Sequence, residues 1–411
     1  MYHGNVVSLL EDSMYHSVSV SDRGKAMPAS PIRKLHPFGV AAKAEGVTVY
    51  HLNIGQPDIK TPEELIRGYR EFNDPVLPYG PSQGLAVYQS KLVTYYSRFG
   101  IDVTEENIFV TTGGSEAIIF SLMAITDPGD EVIIPEPFYT NYNGFSTMAG
   151  AAVRPLTTTL EENFSLPDLD SLESLITEKT KAIVLCSPGN PTGAVFKREK
   201  LEGVAEIARR RGLYLIADEV YREFVYDGNT HTSILELPDL EDNAVVVDSI
   251  SKRYSACGAR IGCIVSRNMD FMDAILRLGQ ARLCPPTVDQ IAAMHAIDTP
   301  QSYFDEVLAE YDSRRKLLHR RLNSMGVECK LPGGAFYMVA RLPVPSADDF
   351  AAWLLKEHRH ENSTVMIAPA EGFYATPGLG TNEARLAYVL NCDDLSKAMD
   401  SFEVALKRYP G

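Results

Sequence analysis

The stretch DSISKRYSACGARIG runs from Asp248 to Gly262. Lys252 stands behind two serines, Ser249 and Ser251, and Arg260 follows eight residues later in a Gly-Ala-Arg-Ile-Gly turn. By itself a lysine in a small-residue loop reads as a solvated surface group. The rest of the chain changes that reading.

Working outward, short apolar runs alternate with helix-like stretches from about 62 to 300. The strand candidates are Asn107–Thr112, Glu131–Pro135, Ala182–Cys186, Leu213–Ala217, Ala244–Asp248 and Arg260–Val265. Amphipathic segments such as Glu116–Ile125, Asp168–Thr177 and Arg198–Arg211 lie between them. This alternation predicts an α/β fold with a mostly parallel central sheet sandwiched by helices. Ligands of such sheets bind at the carboxyl ends of the strands. Beyond about 300 the texture changes. A long charged helix, Gln301–Met325, leads into the strand of GGAFYMVARL; a helix near Ala347–His358, the strand ARLAYVL and a last helix, Leu395–Arg408, follow. The expected organisation is an N-terminal arm over 1–30, a large domain over 62–300, and a smaller α+β domain from 31–61 and 301–411.

Of the 411 residues, 45% are hydrophobic and 23% charged, an ordinary globular balance. The net charge of -15 argues against a nucleic-acid or anionic-membrane partner. No apolar run approaches the about 20 residues that span a bilayer. The first twenty residues lack the basic start and apolar core of a signal peptide. The six cysteines (Cys186, Cys257, Cys263, Cys284, Cys329 and Cys392) are scattered with no CxxC pair, which reads as a reduced, cytoplasmic chain. The nine histidines show no metal-ligand spacing, and His358 and His360, beside Arg359 and Glu361, read as polar surface.

Several polar residues fall where the expected strands end. TTGGSEAIIF, Thr111 to Phe120, joins a strand end to a helix through a glycine pair. Free N–H groups at such a helix start admit an anion; the plain alternative is a turn with Ser115 as N-cap and Glu116 in the first turn. PEPFYTNY, Pro135 to Tyr142, places aromatics in the next loop, where packing alone would account for any one of them. SPGNPTG, Ser187 to Gly193, is turn chemistry after the run KAIVLC. LIADEVYREF closes an apolar strand with Asp218 and sets Tyr221 three residues on. A buried acid needs a partner; a capping role would explain Asp218 alone but not the set. NEARLAYVL opens a late strand around Arg385, suited to a fork-to-fork bond with a carboxylate or to a surface ion pair.

Taken in order, these segments resemble the motifs of the class I and II aminotransferases, pyridoxal-phosphate (PLP) enzymes of fold type I, and among them the bacterial aspartate-aminotransferase-like subgroup. The resemblance runs from about Ser21 to the C-terminus. It implies that Lys252 carries PLP as a Schiff base. It implies that Ser249, Ser251 and Arg260 hold the phosphate with a cup of Gly114, Ser115 and Glu116. Tyr139, or else Phe138, would cover the ring; Asp218 would keep its nitrogen protonated; Asn190 and Tyr221 would reach the phenolic oxygen. Gly55 would lie in the loop over the substrate, and Arg385 with Asn190 would grip the α-carboxylate. Tyr79, in LPYGPSQG, would cross to the neighbouring subunit's phosphate, which implies a homodimer with shared sites.

The activity so implied is transfer of an amino group from an L-amino acid to a 2-oxo acid through pyridoxamine phosphate, with the freed Lys252 amine moving the α-proton. The donor is not fixed. Some aspartate-using relatives carry a lysine after the Gly-Gly pair, where this chain has Ser115 and then the acidic Glu116. Arg282, in QARLCPP, is a candidate substitute, and Glu116 is compatible with a basic donor. A lyase, decarboxylase or oxidase would use the same constellation. A non-catalytic PLP-binding regulator would need a basic DNA-binding domain, for which the N-terminal extension is too short. A dinucleotide fold fails for lack of a GxGxxG after an early strand.

Overall fold

The computed structural model describes residues 18–411. Residues 1–17, and with them most of the arm and of the segment read for a signal peptide, lie outside the described residues. In chain order the strands are β1 (Thr48–His51), β2 (Ile108–Thr111), β3 (Glu131–Glu136), β4 (Ala152–Thr157), β5 (Thr180–Cys186), β6 (Tyr214–Asp218) and β7 (Ala244–Ser249). They continue as β8 (Gly262–Val265), β9 (Glu328–Cys329), β10 (Tyr337–Arg341), β11 (Ser363–Met366), β12 (Ala368–Pro369) and β13 (Glu383–Ala387).

The large sheet has the order β2-β8-β7-β6-β5-β3-β4. Every neighbouring pair is parallel except the two made by β8, with β2 and with β7. The mostly parallel sheet expected from the sequence is therefore present, with one reversed strand. Its middle strands are unbroken apolar runs because both faces are covered. Successive side chains point to opposite faces, so Val246 joins one buried cluster while Val245 and Val247 join another. Helices Ala86–Ser97 and Arg198–Arg211 supply Leu92 and Val204 to the first cluster; helices Gly113–Ile125 and Met269–Arg282 supply Leu122 and Ile275 to the second.

A second, antiparallel sheet has the order β12-β13-β10-β9, and β1 pairs in parallel with β11, Thr48 opposite Ser363. These strands share a core with helices Gln301–Ser324, Ala347–Lys356 and Cys392–Arg408, built around Phe336, Phe350, Leu386 and Phe402. Among the described residues no helix is long and apolar enough to cross a membrane. All six cysteines are free thiols.

Three local expectations need correction. The helix after β2 begins at Gly113, with Thr112 as its cap residue, so Ser115 lies inside the first turn and caps nothing. The Glu116 carboxylate reaches back to accept from the Thr112 N–H at 2.8 Å, which stabilises the earlier start. His358 is not polar surface: it is buried beside Trp353 with Nε2 3.2 Å from Ser401 Oγ, and burial lowers its pKa.

Candidate active site

The strands of the large sheet deliver their ends to one place. Asp218 closes β6, Cys186 closes β5 and Ser249 closes β7, and Lys252 follows on the short helix Ile250–Arg253. Together with the ends of the second core they surround a cavity of about 570 Å³. Of the residues singled out from the sequence, Gly55, Gly114, Ser115, Tyr139, Asn190 and Asp218 line it. So do Tyr221, Ser249, Ser251, Lys252, Arg260 and Arg385.

At one end lies an anion site. Ser249 caps the lysine helix, accepting from the Ser251 N–H at 3.1 Å, and its hydroxyl bonds Ser251 Oγ at 2.8 Å. Arg260 sits in a left-handed conformation, φ 55°, with its guanidinium donating to the Cys257 carbonyl. That guanidinium lies against the start of helix Gly113–Ile125: a Cβ on Gly113 would come within 2.5 Å of its Nη2, and Gly113 also needs φ +74°. Two hydroxyls, an arginine and free helix-start N–H groups make a cradle for a phosphate.

Lys252 Nζ donates to the Gly55 carbonyl at 2.9 Å and lies 3.6 Å from Cys257 Sγ. Among the described residues no carboxylate pairs with it. Asp218, by contrast, is buried and forms no ion pair with a described residue: Tyr142 Oη donates to its Oδ2 at 2.7 Å and the Val220 N–H reaches Oδ1 at 3.3 Å. Burial, only partly offset by these bonds, pushes its carboxyl up to about 6. An acid so placed fits a cationic ring nitrogen.

Arg385 is its mirror image. It is 2% exposed, on β13, and donates to Asn190 Oδ1 at 2.9 Å and to the Asn53 carbonyl. Among the described residues its Nε has no partner and no acid pairs with it, and burial lowers its pKa. A buried guanidinium left short of an anion is unfavourable, and the site thereby fits an incoming carboxylate. Tyr139, held by Asn141 Nδ2 at 2.8 Å, has its phenol pushed up to about 12 by burial. Phe138 packs into the core and does not reach the cavity. The buried Tyr221 bonds Tyr337 through their hydroxyls at 2.8 Å, and burial raises its pKa well above the usual phenol range.

The structure does not bring Glu116 or Tyr79 into this cavity. The Glu116 carboxylate is turned toward Thr112 N and toward Arg282, 3.6 Å away, because the helix start needs an acceptor there. Tyr79 is 82% exposed on the surface of this chain. Arg282, whose Nη2 lies 3.6 Å from Glu116 and donates to the carbonyls of Ser82 and Val110, is likewise outside the lining of this cavity. Sequence reasoning missed Tyr142, Tyr337, Cys257 and Asn53. Tyr142 stood in the quoted aromatic loop, but nothing in the chain set it apart from its neighbours.

The aminotransferase class I and II family matches residues 47–399. A putative aminotransferase, YugH, of Bacillus subtilis is 32% identical over 403 residues, covering 95% of this chain and 98% of that one. An aspartate aminotransferase of Thermotoga maritima is 32% identical, covering 93% and 98%. A solved single mutant of the Thermus thermophilus aspartate aminotransferase superimposes with a TM-score of 0.87 at 29% identity, over 95% of this chain and all of that one.

Proposed function

The chain belongs to the class I and II aminotransferases, and from that premise we propose that its donor is a dicarboxylic amino acid. It is a PLP-dependent transaminase that moves an amino group from an L-amino acid to a 2-oxo acid. When bound, PLP supplies the aldehyde that takes up the amino group and the ring that delocalises the α-carbon's electrons.

The cavity residues divide the remaining work. Lys252 would hold the cofactor covalently; Ser249, Ser251, Arg260 and the N–H groups at Gly114 and Ser115 its phosphate; Asp218 its ring nitrogen; Tyr221 and Asn190 its phenolic oxygen; Tyr139 its face. Arg385 orients the donor by its α-carboxylate, with Asn190 already hydrogen-bonded to the guanidinium. Lys252 Nζ takes the proton from the donor's α-carbon.

The charge of the cavity wall carries the donor assignment. Arg33, His36 and His51 line the side away from the large sheet, and Asp218 is the one carboxylate among the described lining residues. Arg33 makes no ion pair with a described residue. A cationic donor side chain would meet the Arg33 guanidinium there and an anionic one would be drawn to it, while burial lowers the pKa of His51 and favours its neutral form. The basic donor that Glu116 allowed loses its support, since Glu116 is turned to Arg282. Relatives of similar identity are named aspartate aminotransferases and, in one case, an aromatic-amino-acid aminotransferase, so the wall charge carries the assignment. The same reading makes the protein a cytoplasmic homodimer, with Tyr79 reaching the neighbouring subunit's phosphate, and divides it into a large domain over 62–300 and a small one from 31–61 and 301–411.

The test is a spectrophotometric titration of the PLP-loaded enzyme with a panel of donors. Aspartate or glutamate should bleach the yellow band at the lowest concentration, and a 2-oxo acid should restore it. Preference for lysine or ornithine would overturn the donor assignment. Bleaching that no 2-oxo acid reverses would point to a lyase or oxidase.

A further inference from the structure

We propose that Tyr337 is a positioning residue of the transamination site: its hydroxyl aims Tyr221, and its ring seats Arg385. The first half rests on the reading of Tyr221 as donor to the bound cofactor's phenolic oxygen.

Tyr337 opens β10, is 2% exposed, and lines the cavity. Its ring meets that of Tyr221 edge-on, centroids 5.6 Å apart at 83°. The two hydroxyls are 2.8 Å apart, and this is the hydrogen bond each hydroxyl makes with a described residue. A phenol carries one proton. When Tyr221 gives its proton to a ligand oxygen, the bond between the tyrosines closes only with Tyr337 as donor. Accepting that bond polarises the Tyr221 O–H and strengthens its own donation. Tyr337 also meets Arg385, whose guanidinium lies 4.6 Å from the Tyr337 ring centroid. Gly55 completes the arrangement: a Cβ there would overlap the Tyr337 hydroxyl, and the Gly55 carbonyl accepts from Lys252 Nζ. One side chain thus touches the groups assigned to the phenolic oxygen, the carboxylate and the lysine.

The test uses the PLP-loaded enzyme and reads the pH midpoint of its colour change, along with KM for the donor. Tyr221→Phe should raise the midpoint, because a lost donor leaves the phenolic oxygen more basic. Tyr337→Phe should raise it by about 10–30% of that rise, and the double variant by no more than Tyr221→Phe alone. Tyr337→Phe keeps the ring and should leave KM unchanged, whereas Tyr337→Leu should raise KM about 5-fold. A wild-type midpoint in Tyr337→Phe beside a raised one in Tyr221→Phe overturns the aiming role and leaves Tyr221 standing. Additive shifts in the double variant overturn it as well. If Tyr221→Phe leaves the midpoint unmoved, the reading of Tyr221 fails and takes the aiming role with it. Equal KM values in the Phe and Leu variants overturn the seating role.

Discussion

Tyr142 donates to Asp218: its Oη lies 2.7 Å from Asp218 Oδ2, and both residues are buried. This is the only side-chain hydrogen bond the carboxylate receives from a described residue, in a setting that disfavours its charge. Tyr142→Phe removes a bond to the ionised form, so the carboxyl should rise above its value of about 6. Hydrogen bonds to charged groups are worth about 1.5–3 kcal/mol. Cofactor affinity near neutral pH should fall by about 10-fold or more, with the acid limb of its pH dependence moved upward. Fluorescence titration with PLP across pH reads both.

The same burial has a price in the apoenzyme. The native carboxyl keeps its proton up to about 6, while an unfolded aspartate releases it near 3.8. Between those values the native state binds more protons than the unfolded chain, so stability falls as pH rises through this window. Above about 6 the full loss is in place, on the order of 3 kcal/mol for a shift of about two units. Asp218→Asn should therefore stabilise apoenzyme above that pH while binding PLP poorly. Thermal melts of the two apoproteins from pH 4 to 8 should converge at the acid end; parallel curves would refute it.

Lys252→Ala should abolish turnover without unfolding the chain, because the hydrogen bonds Nζ makes with described residues go only to the Gly55 carbonyl and Cys257 Sγ. Borohydride reduction followed by mass spectrometry should attach cofactor to the wild type and not to the variant. Turnover by Lys252→Ala would remove the lysine from the mechanism.

Arg385→Lys preserves charge but not the fork that meets Asn190 and Asn53 while leaving an edge free. The expected loss in kcat/KM is about 100-fold, shared by all α-amino acid donors whatever their side chain. Arg33→Gln should instead penalise dicarboxylic donors and spare neutral ones. Steady-state kinetics with glutamate and a neutral donor separates the two arginines.

Gly55→Ala introduces a Cβ into the space of the Tyr337 hydroxyl. Overpacking of this kind costs about 1–3 kcal/mol. Urea unfolding should show that loss, and Tyr337→Phe in the same chain should leave most of it in place, because the Tyr337 ring carbons Cζ and Cε1 would also lie 2.3 and 2.4 Å from that Cβ.

Much of this architecture was legible in the chain. Apolar runs ending in Asp218, Cys186 and Asp248 announced parallel strands, since only strands covered on both faces are so uniformly apolar. β4 was missed because Ala152–Thr157 contains Arg154 and Pro155 and lies at the sheet edge, where a missing N–H and exposed polar groups are tolerated. Lys252, Asp218 and Arg385, which line the same cavity, stood out in the sequence because short motifs mark them. Tyr337 and Tyr142 were not, because their roles rest on contacts 116 and 76 residues away in sequence. The Glu116 side chain turns from the cavity for a local reason: its carboxylate accepts from the Thr112 N–H at the helix start.

The cavity is also a seam. Its lysine and aspartate are rooted around one core, and Arg385, Tyr337 and Gly55 around the other. Whatever fills it therefore works as a keystone, bonded on both sides of the joint. For anyone engineering this protein, altered specificity and altered heat tolerance will arrive together, because a poorer ligand grip is also a looser arch.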